Sequence, residues 1–315
     1  MTWEISLRSK QDRLGLIFVG GTPRSGTTLV QRILGAHPAI YAGPEFDFVP
    51  SIVSLRNLMS ESVRKGRISA FVNERDVDDA TNKFIFDLLT ARAVRHEHEF
   101  LCEKTPSNAL VFEELIDLFP EAKFIFVVRD PRDVVASMKT VKQRYRMNGE
   151  VEPAFCRDAY ASAQTIRSYL DKGYSASNKS DRVLVVHYED VVREPETTLR
   201  NVCAFLNIEF DPKMLRIEES KFDSADTKSI KHWYDQMALR LPIVASKEPK
   251  HQGVLTAIEV SMVSYMLSGS PYVDRYGLNS GQRSLLFGWI GFNYHHACKA
   301  ALNGLRNAGR ALLRQ

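Results

Sequence analysis

A short apolar run, Leu16 to Gly20 (LIFVG), leads directly into GTPRSGTT (21–28) and then into TTLVQRILGAH, with apolar residues at helical spacing at Leu29, Ile33 and Leu34. An apolar run without alternation reads as a parallel strand buried on both faces. Strand, glycine-rich loop and helix in this order place an anion at a helix N-terminus and commit the chain to an open α/β sheet. The nucleotide-triphosphate loop is G-x-x-x-x-G-K-[ST]. Gly21, Gly26 and Thr28 fall on that template, but Thr27 stands at the lysine position and an arginine, Arg24, comes three residues earlier. Backbone N–H groups of Ser25 to Thr28 point at one anion, and the hydroxyls of Thr27 and Thr28 add donors. The Arg24 guanidinium is a planar fork suited to phosphate or sulfate oxygens. A loop without the lysine suits a single phosphate rather than a β/γ pair, and no carboxylate is placed to hold Mg²⁺ in the usual way.

Beyond the loop, strands and helices alternate. FLCEK (100–104), KFIFVVR (123–129) and RVLVVHYED (182–190) read as strands. Residues 51–98, VFEELIDLF (111–119), RDVVASMKTVKQ (132–143) and EPETTLRNVCAFLNI (194–208) read as helices. Asp130 is a candidate N-cap with Pro131 at the first helical position, and His37-Pro38 ends the helix after the loop. The expected architecture is a P-loop-like parallel sheet with helices on both faces. One domain is expected over residues 1–280. The remainder, 281–315, carries Arg283, Lys299, Arg306, Arg310 and Arg314 without an acidic residue and reads as a basic amphipathic helical tail. Such a tail either docks on the domain with a solvated basic face or makes peripheral contact with an anionic membrane.

Cys102, Cys156, Cys203 and Cys298, with no C-x-x-C spacing, do not read as a disulfide scaffold or zinc site, and point to a reducing, cytoplasmic compartment. The N-terminus has no apolar core of a signal peptide. A formal net charge of +4 gives no reason to expect a nucleic-acid partner. His96 and His98, and His295 and His296, lack further ligands, so no metal is expected. Oligomeric state is not legible.

Arg129 closes the strand KFIFVVR at the end where an α/β sheet binds ligands, and Ser137 lies about two turns into the next helix. Read alone, Arg129, Asp130, Arg132 and Asp133 would be a surface charge network. PRSGTT after one strand and VVRDPRDVVASM after another together resemble the sulfotransferases that use 3′-phosphoadenosine 5′-phosphosulfate (PAPS). The resemblance covers about residues 16–208. It is strongest to tyrosylprotein sulfotransferases, through IFVGGTPRSGTTLVQRILGAHPAIYAGPE, LCEKTP, LFPEAKFIFVVRDPRDVVASM and VVHYEDVVREPETTLRNVCAFLNI.

The resemblance implies sulfuryl transfer from PAPS to an acceptor hydroxyl, a peptidyl tyrosine first, with a carbohydrate, lipid or small-molecule hydroxyl as the alternative. It places Glu45 as catalytic base, Arg24 and Lys104 around the sulfuryl group, Arg24 to Thr28 on the 5′-phosphate, Arg129 and Ser137 on the 3′-phosphate, and Tyr188 against the cofactor. This chain also departs from the family. Asp47 stands where an arginine lies near the acceptor peptide. Ala42 replaces a cysteine that the animal enzymes pair with the one matching Cys102. Val141 stands at a further basic 3′-phosphate position, with Lys139 or Lys142 as substitutes, and Ser224, Lys228 or Ser229 are candidates to close over the cofactor. Two other classes stay open: a P-loop kinase or NTPase with a degenerate lysine, and a non-catalytic nucleotide-binding module.

Overall fold

A computed structural model describes residues 14–93, 98–217, 243, 249–278 and 288–293. The chain divides into two compact units, Met1–Arg129 with Ser168–Ala245, and Asp130–Arg167 with Ser246–Gln315.

The first unit holds a five-stranded sheet of β1 (Gly15–Gly21), β2 (Ile40–Ala42), β3 (Phe100–Lys104), β4 (Lys123–Val128) and β5 (Val183–His187), in the order β2-β3-β1-β4-β5. All four pairings are parallel. Strands 1, 3 and 4 form the interior; β1 and β4 are continuous apolar runs, as burial on both faces favours, while β3 ends in the buried charged pair Glu103 and Lys104. The helices of this unit are α1 (Thr27–Gly35), α2 (Val49–Arg64), α3 (Glu74–Ala93) and α4 (Phe112–Leu118), and after the last strand α7 (Tyr188–Arg193) and α8 (Pro195–Leu206).

Alternation along the strands sorts the core into two layers. Ile17, Val19, Ile125 and Val127 face one side and pack with Val30, Ile33 and Leu34 of α1 and Leu199, Val202, Cys203 and Leu206 of α8. Phe18, Phe124 and Phe126 face the other side. Phe18 stacks on Phe124 at 5.7 Å and Phe112 of α4 meets Phe124 edge-on at 5.3 Å. The sheet is therefore covered on both faces, as expected. Order β3-β1-β4 reverses direction at β1, so the crevice at the C-terminal ends of β1 and its neighbours is where such a sheet takes a ligand.

The second unit contains α5 (Pro131–Met147) and α9 (Ala257–Leu267), while α6 (Ala159–Lys179) carries the division between units within it. The Asp130 carboxylate caps α5 by accepting from the Arg132 backbone N–H at 2.9 Å, with Pro131 next, as expected. Such a cap contributes about 1 kcal/mol. A capping box closes the start of α9, where the Thr256 hydroxyl accepts from the Glu259 N–H and the Glu259 carboxylate accepts from the Thr256 N–H.

Three elements differ from expectation. Ile40–Ala42 forms an edge strand that three residues could not announce. The run 182–190 stops being a strand at His187, and Tyr188 begins a helix whose first turn holds Glu189 and Asp190, where acidic residues favour the helix N-terminus. Helix α6 had no sequence assignment. Of the expected tail, only 288–293 is described, and those residues are helical. Ser224, Lys228, Ser229, His96 and Cys298 lie outside the described residues.

Candidate active site

The loop after β1 turns tightly, with the Ser25 N–H donating to Thr22 O at 2.9 Å. Arg24 (φ 78°) and Gly26 (φ 102°) both take left-handed backbone. Gly26 is the N-cap of α1 and supplies no side chain to the first turn, so those N–H groups keep their capacity for an anion. Thr22, Ser25, Thr27 and Thr28 are all buried. The Ser25 hydroxyl oxygen is buried and has no hydrogen-bond partner among the described residues. An unsatisfied buried hydroxyl costs about 1–3 kcal/mol, and an anion seated in the loop would relieve it.

Gly26 is required for a second reason. A Cβ at this position would press into the Tyr188 ring. The same Tyr188 ring packs against Arg129, whose guanidinium carbon lies 4.2 Å from the ring centre. The fold thus gathers Gly26 and Arg129 around Tyr188, although they are far apart in sequence. Gly26→Ala should destabilise the protein by about 1–3 kcal/mol, from the left-handed backbone and the clash together. Denaturant unfolding measures this, and an unchanged midpoint would show that the loop relaxes around the methyl.

Lys104 is the centre of a second cluster. Register places it beside Val19 near the end of β1, and it is only 1% exposed. Its ammonium donates to Thr28 Oγ1 at 3.1 Å and to Glu45 Oε1 in a short ion pair. One buried cation therefore links the anion loop to the carboxylate expected to be the base. Burial, first, pushes the Glu45 carboxyl above its usual range; the charge and hydrogen bond of Lys104 oppose this, and Asp47 adds to it.

The segment carrying Glu45 is held from beneath. The Phe46 N–H donates to Glu103 Oε1 at 3.3 Å, and the Asp47 N–H donates to Thr105 Oγ1 at 3.1 Å. Asp47 sits at φ 63° and its residue is exposed, as is Phe48. Ala42 pairs in register with Cys102, so the cysteine replaced by alanine would have stood beside Cys102 on the adjacent strand. Cys102, Cys156 and Cys203 are buried.

Ser137 lies on α5 in the second unit and is buried. Lys250 Nζ is 3.5 Å from its hydroxyl. The Asp133 carboxylate accepts from the His251 N–H at 2.9 Å and meets His251 Nδ1 at 2.7 Å, which pins the turn bearing Lys250. Of the two proposed substitutes for Val141, Lys139 pairs with Glu259 at 2.9 Å and Lys142 donates to Arg157 O. Lys250 was not among the sequence candidates; the structure places its ammonium beside Ser137, and no local spacing marks it.

A model of the Sulfotransferase family matches residues 17–212. Protein-tyrosine sulfotransferase 1 of Danio rerio is 34% identical over 210 residues, covering 65% of this chain and 56% of that protein. A putative protein-tyrosine sulfotransferase of Caenorhabditis briggsae is 30% identical over 240 residues, covering 70% of this chain and 81% of that protein. The sulfotransferase domain of a Synechococcus olefin synthase aligns at 23% identity and a TM-score of 0.48, over 76% of this chain and 92% of that one. The chain spans about half the length of several of the curated relatives it matches. The matched region contains the anion loop, Glu45, Lys104, Arg129, Ser137 and Tyr188, and on that match the chain belongs to the sulfotransferase family.

Proposed function

We propose that the chain transfers a sulfuryl group from PAPS to an acceptor hydroxyl, with Glu45 as general base. The observation that carries this reading is Lys104, buried between Thr28 of the anion loop and Glu45. The loop's residues fit one phosphate group: Gly26 leaves room at the helix start, and the Ser25 hydroxyl has no other partner among the described residues. When bound, PAPS would supply the activated sulfuryl group. Ser25 to Thr28 would hold its 5′-phosphate. Arg24 and Lys104 would offset charge developing on the transferring group and bridging oxygen. Glu45 would take the acceptor's proton as its oxygen attacks. Tyr188 and Arg129 would flank the nucleoside end. The resemblance assigns the 3′-phosphate to Arg129 and Ser137, and Lys250 adds a cation beside Ser137.

A peptidyl tyrosine is the leading acceptor, supported by the protein-tyrosine sulfotransferases among the relatives at 30–34% identity. Exposed Asp47 makes the entrance less suited to an acidic flank than an arginine there would. A reducing, cytoplasmic setting remains part of the proposal, supported by the buried thiols of Cys102, Cys156 and Cys203.

Thermal unfolding with 3′,5′-ADP, set against ATP with Mg²⁺, tests the cofactor class. A ligand that binds only the folded protein adds about 2.7 kcal/mol at 100 times its Kd. Stabilisation by 3′,5′-ADP and not by 5′-AMP is expected, with a smaller shift in Lys250→Ala. Stabilisation by ATP and Mg²⁺ alone would overturn the sulfotransferase reading in favour of a kinase or NTPase.

A further inference from the structure

Glu103 is a fully buried carboxylate, 3% exposed, that the proposed chemistry does not use. Burial, first, raises its pKa, so its retention needs a structural reason. It accepts from three donors: the Phe46 N–H at 3.3 Å, Thr105 Oγ1 at 2.7 Å and, in a short contact, Asn108 Nδ2. Thr105 Oγ1 donates to Glu103 and accepts from the Asp47 N–H, so it is a hub joining strand end and loop. Thr105 has extended backbone (φ −125°, ψ 124°) and continues the alternation of β3. Side chains 103 and 105 therefore project to one face and Lys104 to the other. The end of β3 grips segment 45–47 twice: Lys104 holds the Glu45 side chain, while Glu103 and Thr105 hold the next two backbone amides.

That second grip explains Asp47. A non-glycine residue at φ 63° is uncommon, although aspartate tolerates it better than most. The strained conformation persists where surrounding contacts over-determine it, and the Thr105 hydroxyl bond is such a contact. Releasing it would let the loop return to ordinary backbone and carry the Glu45 carboxylate away from Lys104.

We propose that Thr105 and Glu103 are positioning residues that clamp the backbone at Phe46 and Asp47 and so aim the Glu45 carboxylate at the reacting hydroxyl. The inference rests on Glu45 being the base. The side-chain hydrogen bonds of the two residues run to Phe46, Asp47, Asn108 and each other rather than to the anion loop. Their loss should therefore separate turnover from cofactor affinity.

The test uses Thr105→Val, which keeps shape and removes both hydroxyl bonds, with Thr105→Ser as the conservative control. Three readouts are compared: kcat with PAPS and an acceptor, Kd for 3′,5′-ADP, and hydrogen exchange of the Phe46 and Asp47 amides. The expected result for Thr105→Val is a kcat about 10- to 100-fold lower, the size of loss that a misplaced reacting group produces. Affinity for 3′,5′-ADP should stay within about twofold, since a change under RT ln 2 leaves the loop's contacts intact. Exchange at 46 and 47 should quicken, and Thr105→Ser should restore all three. Wild-type kcat in Thr105→Val would overturn the clamp. So would a parallel loss of 3′,5′-ADP affinity, which would mark a general structural defect. Glu45→Gln is run alongside: its full turnover would overturn the base assignment itself, whereas an inactive Glu45→Gln with a fully active Thr105→Val would overturn the clamp alone.

Discussion

Glu45→Gln is expected to fold, to bind 3′,5′-ADP and to lose about 10²- to 10⁴-fold in kcat, the range a positioned general base supplies. Glutamine keeps the size of the side chain and an oxygen for the Lys104 ammonium, so the link from Lys104 to Thr28 survives. What disappears is the group that can accept the hydroxyl proton. The pH profile gives the same test from another side. Burial is the largest influence on Glu45 and raises its pKa; Lys104 pulls it back and Asp47 pushes it up again, leaving it above the ordinary carboxylate value. A base is idle while protonated, so the acid limb of kcat/KM in the wild type should lie above the ordinary value of about 4.3. In Glu45→Gln that limb should be missing from whatever activity remains. A variant with wild-type turnover and an unchanged acid limb would remove Glu45 from the reaction.

How much of this was legible depended on how local the signal was. Strands β1 and β4 announce themselves because burial on both faces selects unbroken apolar runs, and β3 through its apolar start Phe100–Cys102. The anion loop is equally local, since its glycine, hydroxyls and arginine fall within eight residues. The Asp130 cap is legible for the same reason. Ile40–Ala42 was missed because an edge strand of three residues has no periodicity to read. Helix α6 was missed because its apolar side is written in alanines and tyrosines, and Gly173 interrupts it. That glycine has a packing reason: a Cβ there would run into the Phe126 ring. Glu45 and Lys104 were assigned through a resemblance, and nothing in their spacing of 59 residues reveals an ion pair. The contact follows only from strand order, which sets β2 beside β3 with Ala42 opposite Cys102, so that the chain leaving β2 meets the end of β3 at Lys104. Glu103 looked like one more charged residue in FLCEK. Its role emerges once the Phe46 N–H and the Thr105 hydroxyl, which holds the Asp47 N–H, are seen to donate to it.

Lys104→Met should produce the second large effect, about 10²- to 10³-fold in kcat, the usual loss when one electrostatic stabiliser of a transition state is removed. Two causes act in the same direction. The cation that would offset charge on the transferring group is gone. The Glu45 base also loses the neighbour whose charge and hydrogen bond hold its pKa down, so its acid limb should move further up. Stability should follow a sign that separates this account from simple core damage. Removing one partner of a fully buried pair costs about 3–5 kcal/mol. The Glu45 side chain, however, is 32% exposed and can take up a proton or water, so the cost should be smaller. Because the folded pKa of Glu45 is raised further in the variant, its contribution is intact at low pH and is lost as pH rises through that value. Lys104→Met should therefore come closest to wild-type stability in acid and fall behind towards neutrality, as urea unfolding at the two conditions would measure. A deficit of equal size at both would mean that methionine merely packs badly. Retained kcat with an unmoved acid limb would separate Lys104 from Glu45 and from the reaction together.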